Sequence, residues 1–172
     1  RGRRLARLYE PMMFERVALI GLGLIGSSLA HAVKRQRLAD TISGYDASEA
    51  VRHRAAELEL AAIASSAADA VKDADLVILC SPVGSYKQIA AEIAPHLRPG
   101  AILSDVGSVK GMVVKDIAPF LPKGVHLLPA HPISGTEQSG PDAGFASLFD
   151  HRWCIITPPS GADTGAVEKL KK

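Results

Sequence analysis

Three glycines separate an apolar, strand-like run from an amphipathic helical pattern near the start of the chain. The run "VALIG" (17–21) favours a β-strand, and "LIGSSLAHAVKRQ" (24–36) has helical periodicity. Gly21, Gly23 and Gly26 cross the junction with the spacing G-x-G-x-x-G. Glycine is needed where the backbone turns sharply and where a helix passes close to a strand, so this feature predicts a tight βα unit.

Strand-like and helix-like segments alternate through the rest of the chain. The further predicted strands are 42–46, 75–80, 101–105, 125–130 and 153–157, and the further predicted helices are 48–60, 67–73, 83–97 and 109–118. This alternation indicates βαβ units and a mainly parallel sheet. Continuous apolar runs such as "LVILC" suit a sheet that is covered on both faces. The sequence therefore predicts an α/β, doubly wound (Rossmann) fold.

The glycine turn has the spacing of a dinucleotide-binding site. Gly23 would let the backbone approach a pyrophosphate, and Gly26 would allow close packing of helix on strand. The free N–H groups of Leu24, Ile25 and Gly26 would face the phosphates at the positive end of the helix. An ordinary βα turn without a ligand is the alternative interpretation.

An acidic residue ends the next predicted strand. Asp46 follows Gly26 by 20 positions, and its carboxylate can accept hydrogen bonds from the ribose hydroxyls of a dinucleotide. It would also repel a 2′-phosphate, and the segment "ASEAV" separates it from the next basic residue, Arg52. The pattern favours NAD over NADP, with an ordinary turn aspartate as the alternative.

Three more segments follow predicted strands and carry polar residues. Ser81 and Pro82 come after strand 75–80, "SDVGSVKG" (104–111) ends the next strand, and "HPISGTEQSG" (131–140) follows the one after. The carboxyl ends of parallel strands meet at one edge of a sheet, where ligands bind in folds of this class. We therefore expect these segments to form the wall of one cleft.

Composition excludes several other classes. The 172 residues are 47% hydrophobic and 22% charged, which is typical of a globular domain. No apolar run approaches the roughly 18 residues that a membrane span needs. No cluster of His, Cys, Asp and Glu has the spacing of a metal site, so no metal is expected. Cys80 and Cys154 lie in apolar runs and are expected to be buried free thiols.

The positive charge of the chain is concentrated at its start. Residues 1–12 hold four arginines against one acid, whereas the formal net charge of the whole chain is only +2. We interpret 1–12 as a flexible basic tail and 13–172 as the folded domain; a nucleic-acid-binding or membrane-binding arm is the alternative for the tail. The folded part has no basic excess, so no nucleic-acid partner is expected. The tail lacks the features of a secretory signal, which predicts a cytoplasmic protein.

Four motifs together resemble the nucleotide-binding domain of the prephenate dehydrogenase family, which includes cyclohexadienyl and arogenate dehydrogenases. They are "GLGLIGSSLA", "SPV", "SDVGSVKG" and "HPISGTEQSG", in this order, and the resemblance covers residues 14–172. It implies NAD-dependent oxidative decarboxylation of prephenate to 4-hydroxyphenylpyruvate, or of arogenate to tyrosine, in tyrosine biosynthesis. It also implies a homodimer formed through a helical C-terminal domain, and this sequence ends before such a domain, at the start of a connecting helix.

The resemblance also implies roles for individual residues. His131 matches the catalytic histidine of the family, and Ser108 matches a serine that contacts this histidine and the substrate. Lys110 matches a lysine of the same site. Thr136 and Glu137 fall in the loop that the family places beside the substrate.

The chemistry of histidine agrees with that assignment. A neutral imidazole, which ordinarily has a pKa of about 6.5, suits the one proton that has to be moved in this reaction. Pro132 restricts the backbone of the preceding residue, His131, to extended conformations. Of the other histidines, His151 lies in the same long non-periodic stretch, 131–152, and remains an alternative.

Three residues keep a structural alternative. Ser108 could cap a helix, alone or in addition to its role in the site. Lys110 could be a solvated helix lysine. Asp105 could orient Lys110 or act only as a cap, and we do not include it among the predicted catalytic residues.

Two other functions remain open from the sequence alone. A β-hydroxyacid dehydrogenase shares the glycine turn, but it would be expected to use a lysine on the following helical domain. A dinucleotide-sensing module without catalysis is the second alternative, although such a module has no need for His131.

Overall fold

The computed structural model describes residues 12–172 and contains a six-stranded parallel sheet. Its strands are β1 (Phe14–Ile20), β2 (Ala39–Tyr45), β3 (Ala62–Ile63), β4 (Leu76–Leu79), β5 (Ile102–Asp105) and β6 (His126–Leu127). Their order in the sheet is β3-β2-β1-β4-β5-β6, and every neighbouring pair is parallel. The chain therefore has the predicted doubly wound Rossmann fold. The predicted basic tail, apart from Met12, lies outside the described residues.

Helices cover both faces of this sheet. They are α1 (Leu24–Gln36), α2 (Glu49–Glu57), α3 (Ala67–Val71), α4 (Tyr86–Ile93), α5 (Lys110–Ile117) and α6 (Thr164–Lys171), with 3-10 turns at Val83–Ser85, Ala94–His96, Ala118–Phe120 and Pro141–Ala143. The helices α1, α2 and α6 contribute buried residues to one core, and α3, α4 and α5 contribute to the other. Within residues 12–172, no helix is long and apolar enough to cross a membrane.

Side chains cap three of these helices at their N-termini. Ser48, Ser66 and Asp163 each accept a hydrogen bond from a backbone N–H of the first turn of α2, α3 and α6 respectively. Helix α1 differs because it starts at Gly23, which has no side chain to cap it. The first turn of α1 is therefore left for another partner.

The predicted strand 125–130 is divided in the structure. Its first part is β6, while Ala130–Pro132 forms a separate strand, β7, which pairs antiparallel with β8 (Cys154–Ile156). The prediction of a strand at 153–157 was therefore correct in type, but this strand belongs to a two-stranded ladder outside the main sheet. Main-chain pairing with β5 continues as far as Leu128, whose N–H donates to the carbonyl oxygen of Leu103, and the carbonyl oxygen of Pro129 already accepts from Thr157 beside β8.

Other differences from the prediction are local. The two residues of β3 were too few to give a periodic signal. The predicted helix 83–97 is a 3-10 turn, then α4, then a second 3-10 turn. Both cysteines are free, but only Cys80 is partly buried, and its pKa is raised by burial. Cys154 lies exposed on β8, which corrects the expectation that it is buried.

Candidate active site

The glycine turn is packed tightly against the end of β4. Gly21 has a φ of +100°, and a Cβ added to it would lie 2.7 Å from the carbonyl carbon of Cys80 and from the nitrogen of Ser81. A Cβ on Gly26 would lie 2.0 Å from the carbonyl oxygen of Gly21. By contrast, nothing lies within 4 Å of a Cβ on Gly23. Gly21 makes the tight turn and Gly26 the close approach of helix to strand that the spacing predicts, while Gly23 faces open space.

The N-terminus of α1 adjoins that open space. The helix is 13 residues long, has no acidic residue in its first turn and has no side-chain cap. Its first-turn N–H groups, at Leu24, Ile25 and Gly26, form the positive end of the helix dipole. A pyrophosphate group fits such a terminus, since it supplies both the acceptors and the negative charge.

The carboxylate of Asp46 lies beside the same turn. Its Oδ2 accepts a hydrogen bond from the backbone N–H of Leu22 at 2.9 Å, and its Oδ1 accepts one from the N–H of Ser48, also at 2.9 Å. The first bond joins the end of β2 to the glycine turn. Each carboxylate oxygen has further acceptor capacity, so Asp46 can also accept from ribose hydroxyls.

Arg52 folds back towards Asp46, which its distance in the sequence did not predict. Its Nη1 donates to the carbonyl oxygens of Asp46, at 2.7 Å, and of Ala47, at 3.1 Å. The guanidinium carbon lies 5.3 Å from the centre of the Tyr45 ring. The turn after β2 therefore carries an acid and a base side by side.

The strand-end loops form a continuous series of contacts along the edge of the sheet. Ser81 packs against Gly21, as described above. A hydrogen bond of 2.9 Å joins the hydroxyl groups of Ser81 and Ser85. Ser85 Oγ also donates to the carbonyl oxygen of Pro82 at 2.7 Å. A Cβ on Gly107 would lie 2.5 Å from Val83, so the loop after β5 is packed against the loop after β4.

His131 closes this series. It lies on β7 opposite Ile155 and is partly buried, and its Nδ1 lies 3.0 Å from the carbonyl oxygen of Val106. A carbonyl oxygen can only accept, so in the neutral imidazole Nδ1 carries the hydrogen and Nε2 keeps its lone pair. This is the tautomer that a proton acceptor at Nε2 requires. The sequence predicts His131 at the start of the loop that follows strand 125–130, and the structure instead places it on β7 of the small ladder.

Lys110 is held by its own neighbours. Its Nζ donates to Asp105 Oδ2 at 2.5 Å and to the carbonyl oxygen of Ala130 at 2.6 Å, and its side chain is 16% exposed. The solvated alternative for Lys110 is therefore wrong. Because two of its three N–H groups are engaged, it joins α5 to the residue that precedes His131.

Ser108 lies in the same loop, but the structure does not join it to His131. It is exposed, and no hydrogen bond links its hydroxyl to the imidazole. The N-cap of α5 is Val109, without a side-chain cap, so the alternative in which Ser108 caps this helix is wrong.

The residues of the substrate-side loop are also separate from the imidazole. Thr136 and Glu137 are exposed in the turn that follows β7, and Thr136 Oγ1 accepts from the N–H of Gln138 at 3.2 Å. His151 is exposed, with a φ of +58°, near the end of the loop. The structure therefore brings together His131 and Lys110, and leaves Ser108, Thr136, Glu137 and His151 at the surface.

Two ion pairs connect segment 133–152 to the helices on one face of the sheet. Arg54 binds both carboxylate oxygens of Asp142, with its Nη2 2.6 Å from Oδ1, and Arg35 pairs in the same way with Asp150. Each guanidinium, through these hydrogen bonds, lowers the pKa of its partner carboxyl. The long loop is therefore attached to α1 and α2 and is not free.

The loop also contacts the first turns of α1. The N–H of Phe145 donates to Ser28 Oγ at 3.1 Å. A Cβ on Gly144 would lie 2.2 Å from Ser27 Oγ, so only glycine fits there. These contacts place the loop after His131 next to the helix whose N-terminus suits a phosphate.

Asp105 is the site residue that the sequence prediction left out. Its side chain is fully buried, and besides Lys110 it accepts from the N–H groups of Gly107, at 2.8 Å, and Ala130, at 3.2 Å. Tyr86 is buried nearby, and its pKa is raised by burial and by the charge of Asp105. The available signal was an acidic residue ending the apolar run "AILSD".

Comparisons with known proteins agree with this architecture. Residues 29–172 match the family model described as prephenate dehydrogenase, nucleotide-binding domain. The chain is 46% identical over 156 residues to a cyclohexadienyl dehydrogenase from Zymomonas mobilis, covering 90% of this chain and 53% of that protein. This chain belongs to the prephenate dehydrogenase family. A prephenate dehydrogenase from Bacillus subtilis is 35% identical, over 92% of this chain and 43% of its own length.

A solved member of the prephenate dehydrogenase family has the same fold. The prephenate dehydrogenase of A. aeolicus, in complex with hydroxyphenyl propionate and NAD+, superposes with a TM-score of 0.83 at 30% identity. The match covers 95% of this chain and 56% of that one. The chain thus spans about half the length of the family members that it matches.

Proposed function

We propose that this chain provides the cofactor site and the proton acceptor of an NAD-dependent dehydrogenase that acts on prephenate or arogenate. The observation that carries the proposal is the orientation of His131, whose Nδ1 is held by a carbonyl oxygen so that Nε2 can accept a proton. Such an enzyme oxidises the ring carbon that bears the hydroxyl group. Loss of the ring carboxylate as carbon dioxide then leaves an aromatic ring.

In this proposal His131 manages a single proton. Its Nε2 accepts the proton of the substrate hydroxyl while the ring carbon that bears this hydroxyl loses a hydride. Once the ring is aromatic, the imidazole returns the proton to the same oxygen. A bound nicotinamide would supply the acceptor for the hydride. The remaining work of the protein is to hold the imidazole beside the substrate in a fixed direction.

The cofactor site is proposed to consist of the glycine turn, the N-terminus of α1, Asp46 and the segment at Ser81 and Pro82. We infer a preference for NAD over NADP, because the carboxylate of Asp46 would repel a 2′-phosphate. The guanidinium of Arg52 is already engaged by two main-chain carbonyls, which reduces its capacity to bind that phosphate.

The substrate side of the site is proposed to need cations in addition to Lys110. Prephenate carries two carboxylates, and the ammonium of Lys110 is already paired with Asp105. We therefore expect cations outside residues 104–140 to bind these carboxylates, supplied by a helical domain through which the protein forms a homodimer. Ser108, Thr136 and Glu137, which are exposed, are proposed to contact the substrate.

The deciding experiment is a turnover assay on the full-length protein. Prephenate and arogenate are each supplied with NAD and with NADP, and both the reduced cofactor and the aromatic product are measured. Formation of 4-hydroxyphenylpyruvate or tyrosine in step with NADH is the expected result. Oxidation of a β-hydroxyacid without an aromatic product, or NAD binding without turnover of either substrate, would refute the proposal.

A further inference from the structure

Within residues 12–172, the strand that carries His131 has a ladder partner on only one side. Ala130 lies opposite Ile156 in the antiparallel ladder. Main-chain hydrogen bonds join this strand to its partner at Pro129, before Ala130, and at Ile133, after it. By the alternation of such ladders, the N–H and C=O of Ala130 point away from β8. Ala130 is only 6% exposed, so both groups need partners inside the protein.

One ion pair satisfies both of these groups. Asp105 Oδ1 accepts from the N–H of Ala130 at 3.2 Å, and Lys110 Nζ donates to its carbonyl oxygen at 2.6 Å. The two side chains are in turn joined to each other at 2.5 Å. The pair therefore holds the main chain of Ala130 on the side where β7 lacks a strand neighbour.

The acceptor for the imidazole is fixed from the same place. Val106 directly follows Asp105, and its N–H bonds to the carbonyl oxygen of Leu79, which continues the main sheet. The carboxylate of Asp105 also accepts from the N–H of Gly107, on the other side of Val106. The carboxylate of Asp105 therefore holds residues next to both partners of the hydrogen bond between His131 Nδ1 and the Val106 carbonyl oxygen. It binds Gly107, which follows Val106, and Ala130, which precedes His131.

We propose that Asp105, acting with Lys110, is a positioning residue that holds His131 in its Nδ1–H tautomer. This inference rests on the proposed function, because it assigns the pair a purpose in that reaction. A buried ion pair contributes little net stability compared with an apolar pair of the same volume, because both charges lose their hydration. What this pair supplies is the fixed separation between two segments that no β-ladder joins.

The test uses Asp105→Asn, with Asp75→Asn as the matched control. Asp75 is also a buried carboxylate: it accepts from the N–H of Glu15 and lies 3.0 Å from Arg98, at the opposite edge of the sheet. The tautomer of His131 is read from long-range nitrogen–proton NMR spectra at alkaline pH, with the signals assigned by their loss in His131→Asn. We expect Nδ1–H in the wild type and in Asp75→Asn, and a mixture of tautomers in Asp105→Asn.

A kinetic measurement gives the second readout. In the full-length enzyme, Asp105→Asn should lower kcat about 10- to 100-fold, as expected when a reacting group is displaced by about 1 Å. The KM for NAD should stay at the wild-type value, since the glycine turn is untouched. An unchanged tautomer and kcat in Asp105→Asn, or equal losses in Asp75→Asn, would overturn the proposal.

A double variant covers a failure of Asp105→Asn to fold. In Asp105→Asn/Lys110→Met no buried charge is left without a partner. This double variant should show the same tautomer mixture as Asp105→Asn, because the two side chains act as a unit. A folded double variant with the wild-type tautomer would also overturn the proposal. The NMR result does not depend on turnover, so an inactive wild type would count against the proposed function and not against the positioning role.

Discussion

The glycine turn and the strand that bears His131 lie at the same edge of the sheet, but different contacts hold them. At the turn, backbone packs directly on backbone, with 2.0 Å between a hypothetical Cβ of Gly26 and the carbonyl oxygen of Gly21. The His131 strand is held by the side chains of Asp105 and Lys110, which are 25 and 20 residues from the Ala130 groups that they bind. Gly21 and Gly26 leave no room for a side chain, whereas the position of the His131 strand depends on hydrogen bonds from two side chains.

The two regions should therefore respond differently to substitution. A substitution at Gly21 or Gly26 should act through shape, affecting folding and cofactor binding together. A substitution around His131 should act through orientation, lowering turnover while the fold and the cofactor site persist. Variants of the two regions should therefore separate effects on folding from effects on turnover.

The largest effect is expected for His131→Asn. Loss of the proton acceptor should lower kcat by roughly 10²- to 10⁴-fold. NAD affinity, measured by calorimetry, should remain near the wild-type value because the cofactor groups lie elsewhere. His151→Asn is the control and should behave like the wild type. Near-normal turnover by His131→Asn would remove the imidazole from the mechanism.

Gly26→Ala should lower the free energy of unfolding by about 3 kcal/mol or more, because the new methyl group would meet a backbone oxygen. Gly23→Ala is the matched substitution, since its methyl group meets nothing within 4 Å. It should fold within about 1 kcal/mol of the wild type but lose about tenfold or more in NAD affinity. Denaturant titration and calorimetry measure the two effects. Full NAD affinity in Gly23→Ala would show that the cofactor does not approach this turn.

A smaller effect is expected from Asp46→Ser combined with Ala47→Arg. Removal of a charged hydrogen-bond acceptor should weaken NAD binding by roughly 10- to 100-fold, while the new guanidinium should improve NADP binding. Asp40→Ser, on the same strand but at its other end, serves as the control. If the double variant binds NAD as well as the wild type and still rejects NADP, the ribose assignment of Asp46 is wrong.

The smallest effect concerns the ion pairs of the long loop. The arginine partners lower the pKa values of Asp142 and Asp150. The attachment of the loop to the helices should therefore be complete above the ordinary carboxyl pKa of about 3.9, and it should be lost as the pH falls below that value. The amide signal of Phe145, followed by NMR during acidification, should report this release. In Asp142→Asn the pH dependence should become weaker. An amide signal that does not change with pH would show that the ion pairs do not hold the loop.

The contrast between the two regions also explains what could be predicted from sequence. The glycine turn, Asp46 and the strand-end loops follow from spacing within βαβ units, and the fold followed from the same alternation. The break of strand 125–130 depended on a partner, β8, more than twenty residues away, and local propensity contains no information about that pairing. The contact of Asp105 with Lys110 was one of two alternatives from the sequence, but its bond to the N–H of Ala130 could not be predicted, because no side-chain motif records a main-chain partner.

His131 takes its orientation from a main-chain carbonyl, and this has a consequence for how the protein can change through mutation. Every amino acid supplies that carbonyl, and every one except proline also keeps the N–H that bonds to Leu79, so most substitutions at position 106 leave the acceptor in place. In enzymes where a carboxylate orients the catalytic histidine, one Asp→Asn change can cost roughly 10⁴ in rate. Here the tautomer is protected from most single substitutions at the acceptor residue itself, and the side chain of Val106 remains free to vary as its packing surroundings vary.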